Sequence, residues 1–254
     1  MITKFRLLLF FALSIFTSCV NTKKITYFND IEKTNGTETT NKLHPLKIQP
    51  GDVLQITITT IDKDISLILN PASVNSSPMA GNGMDPGYIV DSSGHVSLPI
   101  VGKIYVKDKT TSEVNSIITT ELDKTIRNAY VSTRITNFRI SVLGDVAHPG
   151  SFKISAERAS ILDALSMAGD MNVTAVRDDI MVIREVDGVK QYASLNLNDS
   201  KTLASPYYYL NNNDVVYVKP GPNKPLGTSK FVQLLPAFIG ALSLITTLII
   251  VTVN

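Results

Sequence analysis

The sequence predicts an α+β fold: two small mixed α/β units in series, with an apolar segment at each end of the chain. Three observations carry this. Capping-box patterns at Thr110/Glu113 and Ser160/Asp163 each open a short amphipathic stretch. Strand-like apolar runs lie on both sides of each stretch. The apolar excess behind the 44% hydrophobic composition sits at the two ends of a chain punctuated by 12 Pro and 14 Gly.

Structure is expected to start near Ile48. Pro50-Gly51-Asp52 is a turn, and Val53 to Thr59 alternates as a half-buried strand does. Residues 70 to 87 read as a long loop. Tyr88 to Val90, the turn Asp91 to Gly94 and His95 to Leu98 read as a hairpin that Pro99 ends. Ile104 to Val106 is a further short strand. Val114, Ile117, Ile118 and Leu122 share one helical face, so a helix is predicted over 111–126. Tyr130 to Phe138 and Arg139 to Leu143 are strand-like.

A second unit begins near Ile140. Turns at Gly144-Asp145 and His148 to Gly150 flank a strand pair. The helix opened by Ser160 presents Ile161, Leu162, Leu165 and Ala168, and Gly169 stands where a C′ glycine ends a helix. Met181 to Val186 and Val189 to Leu197 form a hairpin around Asp187-Gly188. Asn212-Asn213-Asp214 and Val215 to Val218 close the unit, and Pro220, Pro222 and Pro225 stiffen the linker after it. The phrase Gln49 to Ile56 is similar to Asn212 to Val218, each a turn, an Asp and a strand-like run. Alone, that is a common turn-to-strand signal rather than evidence of a repeat.

The ends carry the membrane signals. Lys4 and Arg6, the run Leu7 to Phe16 and the small residues after it make the tripartite pattern of a secretory signal peptide over 1–18. The run is shorter than the roughly 20 residues a span needs. An N-terminal membrane anchor is the alternative. Cys19 follows at once and resembles a bacterial lipobox cysteine, with Phe16 in place of the usual Leu. An ordinary signal peptide with an incidental cysteine is the other reading. Residues 19–46 are then a lipidated, polar N-terminal tether.

Leu234 to Val253 holds no charged residue, and Lys230 is the last ionisable side chain. At 1.5 Å rise, about 20 residues cross a hydrocarbon core of about 30 Å, so 234–253 is expected to be a transmembrane helix. Gln233, Pro236, Gly240, Ser243 and Thr247 fall at spacings of three and four residues, one stripe along such a helix. Small and hydroxyl residues on one face let membrane helices pack closely, or the face lines a lumen. A single anchor with chance Ser and Thr is the plain alternative.

Several phrases together resemble the polysaccharide-export outer-membrane lipoproteins. They are "IQPGDVLQITI" at 48–58, "YIVDSSGHVSLPIVGKIYVKDKT" at 88–110, "ISVLGDVAHPGSF" at 140–152, "SILDALSMAGDM" at 160–171 and "LNNNDVVYVKP" at 210–220. The resemblance implies an export domain at 47–139, one soluble-ligand-binding β-grasp domain at 140–220, a linker at 221–233 and the membrane helix. It also implies a homo-oligomeric ring in the outer membrane, lipid-anchored at Cys19 with most of the chain in the periplasm. Capsular or extracellular polysaccharide would pass through it. An inner-membrane polysaccharide co-polymerase, often fused or paired with a tyrosine kinase, would deliver the glycan. Some relatives carry two β-grasp domains and this chain shows one. The second turn reads Asn213-Asp214 where the family has Gly-Asp, and the tail is more uniformly apolar than an amphipathic pore helix.

Enzyme chemistry finds no support. One cysteine excludes an internal disulfide framework and a multi-thiolate zinc site. His44, His95 and His148 lack metal-ligand spacing, and no P-loop or nucleophile elbow occurs. Gly81, Gly83 and Gly87 miss the dinucleotide spacing by one residue, with no helix pattern after them. Asp178-Asp179 reads as a solvated turn, and Tyr207 to Tyr209 as half-buried strand rather than a sugar platform. With 24 basic and 22 acidic residues, no broad basic surface for nucleic acid is expected, and no cofactor is implied. A non-channel glycan- or partner-binding lipoprotein is the alternative function. A tail-anchored inner-membrane protein is a third.

Overall fold

The computed structural model describes residues 26–31, 45–70, 87–222 and 230–253. Within the last stretch the side chains at 230–233, 245 and 248–253 are outside the description. Cys19, His44 and Gly81-Gly83 also lie outside the described residues. The fold is mixed α+β with several sheets.

The first unit holds β1 (Val53–Thr59), α1 (Lys63–Leu69), β2 (Tyr88–Ile89), β3 (His95–Leu98), β4 (Gly102–Tyr105), α2 (Thr111–Leu122) and β5 (Tyr130–Ile135). The predicted alternation in β1 holds, with Leu54, Ile56 and Ile58 buried. Strand β1 lies between β2 and β5, antiparallel to both. Its inner face packs with Val96, Val114, Ile118 and Leu122 into one core. Each such aliphatic side chain, fully buried, contributes about 1.5–3 kcal/mol.

The second unit holds β6 (Arg139–Gly144), β7 (Gly150–Lys153), β8 (Ala159–Ser160), α3 (Ile161–Met167), β9 (Ala175–Val186), β10 (Val189–Leu195), a 3-10 helix (Ser200–Ala204), β11 (Tyr209–Leu210) and β12 (Val215–Pro220). Its main sheet runs β10-β9-β12-β6-β7, with β12 parallel to β6 and the other pairs antiparallel. Ile161, Ala164 and Leu165 of α3 join Val142, Ile180 and Val216 in a second core. Ile135, at the end of β5, packs against both cores.

Local cap chemistry behaves as predicted. Both capping boxes are closed, Thr110 with Glu113 and Ser160 with Asp163. Gly169 follows α3 at φ +75°, the C′ position. Asp187 and Gly188 both have positive φ, the two-residue turn that matches strand twist.

Three expectations change, and one helix is new. The 88–98 hairpin does not form as a strand pair: β2 pairs with β1, and β3 pairs with β4. The Asp91 carboxylate accepts from the Ser93 and His95 amides, each at 2.9 Å, which closes the turn on a side chain. Helix α2 stops at Leu122 and gives way to a tighter turn, in which the Thr125 amide reaches the Leu122 carbonyl three residues back. Helix α1 had no sequence reading. Asp62 caps it through the Asp64 and Ile65 amides, and Asn70 ties its end to the Ile58 backbone. Strand β9 starts at Ala175, so Asp178 and Asp179 lie inside a strand, where Asp179 takes Ser194 and Lys219.

The tether is not free throughout. Phe28 and Asn29 donate to the Leu197 and Asn198 carbonyls of the second unit. Asp30 accepts from the Ser200 amide and hydroxyl, and Tyr27 donates to Asp170 with the Arg177 guanidinium over its ring. Burial and Asp170 push the Tyr27 phenol far above its ordinary range.

The final helix, α4 (Lys230–Val253), has 24 residues with Pro236 inside it. Among the described residues, which leave out the side chains at 230–233, 245 and 248–253 of α4, no helix is long and apolar enough to cross a membrane.

Candidate functional site

Two places in the molecule carry polar chemistry that the fold alone does not require. The first is the stripe on α4. Helical spacing brings Pro236, Gly240, Ser243 and Thr247 to one face, and all four are exposed. The Gln233 side chain lies outside the described residues. A Cβ on Gly240 would meet nothing within 4 Å, so nothing within the described chain requires that glycine. Ser243 donates to the Gly240 carbonyl, and Thr246 and Thr247 both donate to the Ser243 carbonyl, each at 2.8 Å. These bonds satisfy the hydroxyls within the helix itself.

The second place is the junction of the two units. The turn Gln49–Asp52 precedes β1, and the turn Asn211–Asp214 precedes β12. In each, the Asp carboxylate accepts the amide three residues back at 2.8 Å. In each, the Asp amide returns to that residue's carbonyl, at 3.1 and 3.2 Å. The third residue has positive φ in both, +90° at Gly51 and +66° at Asn213. The two turns touch: Asn212 Nδ2 donates to Asp52 Oδ1 at 2.6 Å. Asn212 Oδ1 also accepts the Arg139 amide. The connector between the units is fixed to the first turn by Asn137, which accepts from the Val53 amide and donates to the Gly51 carbonyl. Lys107 and Asp187 make a second bridge between units, 2.7 Å long, and Asp187 draws the lysine pKa upward.

Both Asp residues are buried, and burial raises both pKa values. Asp52 is opposed only by the Gln49 amide and Asn212. Asp214 is opposed by Arg184, whose Nε and Nη2 grip its two oxygens at 2.7 to 3.2 Å. The Arg184 Nη2 also donates to the Tyr209 carbonyl.

Beside the junction lies a cleft of about 680 Å³, lined by Leu46, Thr133, Arg134, Ile135, Phe138 and Arg158 among others. The Thr133 Oγ1 is buried without a hydrogen-bond partner. Sequence reasoning did not single out Asn137, Arg184, Asn212 or Arg134. The partners of Asn137, Arg184 and Asn212 lie far along the chain, and no local spacing signals them. The shared turn chemistry at Asp52 and Asp214 was the one available clue.

The remaining residues are placed simply. His95 sits edge-on to Tyr105 with its Nδ1 on Ser93, and His148 is exposed. Tyr207 to Tyr209 are half-buried. Tyr207 lies under Arg184 and bonds Gln191, and Tyr209 lies under Arg158. Among the described residues no group of three His, Cys, Asp or Glu is placed to hold a metal ion.

Residues 41–136 match the family described as polysaccharide biosynthesis/export protein, and residues 139–218 match the SLBB domain. The chain is 29% identical over 187 residues to the EPS I polysaccharide export outer membrane protein EpsA of Ralstonia solanacearum, covering 70% of this chain and 49% of that protein. It is 28% identical over 162 residues to the protein of the same name from Ralstonia nicotianae, covering 59% and 41%. The chain thus spans about half the length, or less, of these curated relatives. The two matched segments meet at the hydrogen-bonded junction, and each encloses one of the two cores. On these grounds residues 41–136 belong to the polysaccharide biosynthesis/export family, and an SLBB domain follows directly at 139–218.

Proposed function

We propose that this protein is a subunit of an oligomeric outer-membrane channel that exports capsular or extracellular polysaccharide. The observation that carries the reading is the uninterrupted series of export domain, SLBB domain and 24-residue charge-poor helix in one chain. That helix is about 36 Å long, against a hydrocarbon core of about 30 Å. In this reading residues 234–253 cross the outer membrane, and the stripe from Gln233 to Thr247 faces neighbouring helices or a lumen. Cys19 carries the lipid after removal of residues 1–18, and residues 140–220 take the β-grasp form.

The placement of the attachments supports an orientation. Residues 20–25 give Cys19 a reach of about 20 Å from Thr26, which begins the segment docked on the second unit. The helix α4 follows β12 of the same unit. Both attachments therefore leave from the SLBB unit, which sits against the membrane. The export unit projects into the periplasm, where an inner-membrane co-polymerase with its tyrosine kinase would meet it.

The test is secretion in a strain lacking the protein. Full-length protein restores surface polysaccharide. A version ending after residue 222 leaves the glycan in the periplasm. Equal surface glycan from both versions would refute the channel.

One observation favours the second reading, a non-channel binding lipoprotein: the stripe hydroxyls are already satisfied within α4 and need no neighbour. The double substitution Ser243→Leu/Thr247→Leu separates the two. A channel loses assembly or export, and an anchored binding module keeps its function.

A further inference from the structure

The outer face of the β1/β5 pair is polar in a way the fold does not use. Inward, the strands present Leu54, Ile56, Ile58 and Val131. Outward, the register sets Gln55 opposite Arg134, Thr57 opposite Ser132 and Thr59 opposite Tyr130. These six side chains line a depression of about 310 Å³. None of the six has a hydrogen-bond or ion-pair partner among the described residues. Tyr130 is 70% exposed, a ring left in water at the edge of a sheet.

The composition points to a ligand class. Four uncharged side chains supply amide and hydroxyl groups that both donate and accept, matching the hydroxyls of a sugar. A tyrosine offers an apolar ring face with a polar tip. Arg134 adds a planar fork suited to a carboxylate. No acidic side chain is among the six. Tyr130 and Arg134 are four residues apart, about 14 Å along an extended strand, which suits a short run of sugars rather than a single one.

Arg134 also lines the junction cleft, so depression and cleft are continuous at that residue. The cleft brings Arg158 and Glu157. Arg158 is engaged by the Tyr209 ring, while Arg134 has no partner among the described residues. In the cleft wall the buried Thr133 hydroxyl is also without a partner. Unspent hydrogen-bonding groups thus occur on both sides of Arg134.

We infer that the β1/β5 face is a contact site for an acidic polysaccharide, with Arg134 pairing a sugar carboxylate and Tyr130 stacking on a neighbouring sugar. The inference rests on the export reading, since it names the chemical class of the glycan that the export unit meets. An acidic peptide shares the carboxylate but cannot use the hydroxyl rows or the ring in the same way.

The experiment titrates the full chain in mild detergent with oligogalacturonates, with neutral malto-oligosaccharides and with poly-glutamate, while particle mass is read by light scattering. Oligogalacturonates are expected to bind saturably, and the other two at least tenfold more weakly. Arg134→Gln removes a hydrogen bond to a charged group and should weaken binding roughly ten- to a hundredfold. Arg134→Lys should recover part of that loss, and Tyr130→Ala should weaken binding about tenfold. Both positions are exposed on a sheet face, and circular dichroism should not change in any of the three variants. Absent oligogalacturonate binding, equal binding of neutral sugar or poly-glutamate, or unchanged affinity in Arg134→Gln would each overturn the inference. A fall in particle mass in the variants would make this face a subunit contact and overturn it too. A wild-type chain that is monomeric while still binding oligogalacturonates would instead count against the channel reading and leave this site standing.

Discussion

The two turns at the junction share a backbone and differ in electrostatics. Gln49–Asp52 and Asn211–Asp214 have the same paired hydrogen bonds and the same positive-φ third residue. Asp214 has a guanidinium across both oxygens, whereas Asp52 has only an amide and an asparagine. The turn geometry is therefore independent of the charge partner, because the backbone bonds close it. What the partner decides is how the carboxylate is tolerated when buried. Asp214 is held inside its own unit by Arg184. Asp52 takes its second bond from the other unit, through Asn212, so it also reports whether the two units are together.

This difference sets the order of expected effects. Removing Arg184 is the most damaging change. Arg184→Met leaves the Asp214 carboxylate, which is 1% exposed, without its cation and should cost about 3–5 kcal/mol, read from chemical denaturation. The companion change at Asp52 has no cation to strand. A double-mutant cycle of Asp52→Ala with Asn212→Ala should give a coupling of about 0.5–3 kcal/mol. A coupling near zero would mean that the bond between the turns contributes nothing to holding the units together.

The backbone comparison predicts smaller effects. Gly51→Ala meets no atom within 4 Å but must hold φ +90°, so it should destabilise by about 1 kcal/mol. Asn213→Gly should change stability by only a few tenths of a kcal/mol, because Asn tolerates the left-handed region.

The pH dependence is the finest test. Burial raises the Asp52 pKa in the folded state, so the folded protein binds the proton more tightly than the unfolded chain. Stability contributed by Asp52 is then fully present below the ordinary carboxylate pKa of about 3.9. It is lost as pH rises through the raised value. Measured against Asp52→Asn, wild-type melting temperature should fall in relative terms on going from acid to neutral pH. A constant difference across that range would contradict the assignment.

How much of this was legible in the sequence follows range along the chain. The capping boxes, the Asp187-Gly188 turn and the alternation in β1 depend on residues within a few positions, and they were readable. The pairing of β3 with β4 was not: it runs across the turn at Pro99–Val101, where the proline reads only as the end of a strand. Strand β9 was cut short because Asp178 and Asp179 look like a turn, and only Lys219 and Ser194 from neighbouring strands make Asp179 tolerable there. At the candidate site, the small and hydroxyl spacing of the α4 stripe was visible as helical periodicity. The junction was not, because Asn212 and Asp52 stand 160 residues apart. The family phrases at 48–58 and 210–220 did include both turns, and their likeness is a shared geometry rather than only a shared composition.

Electron microscopy of the full-length protein extracted in mild detergent tests the central claim most directly. The account predicts a closed ring of subunits, with a narrow helical collar at one end and the export units at the other. Single, unassociated particles at every protein concentration would contradict it.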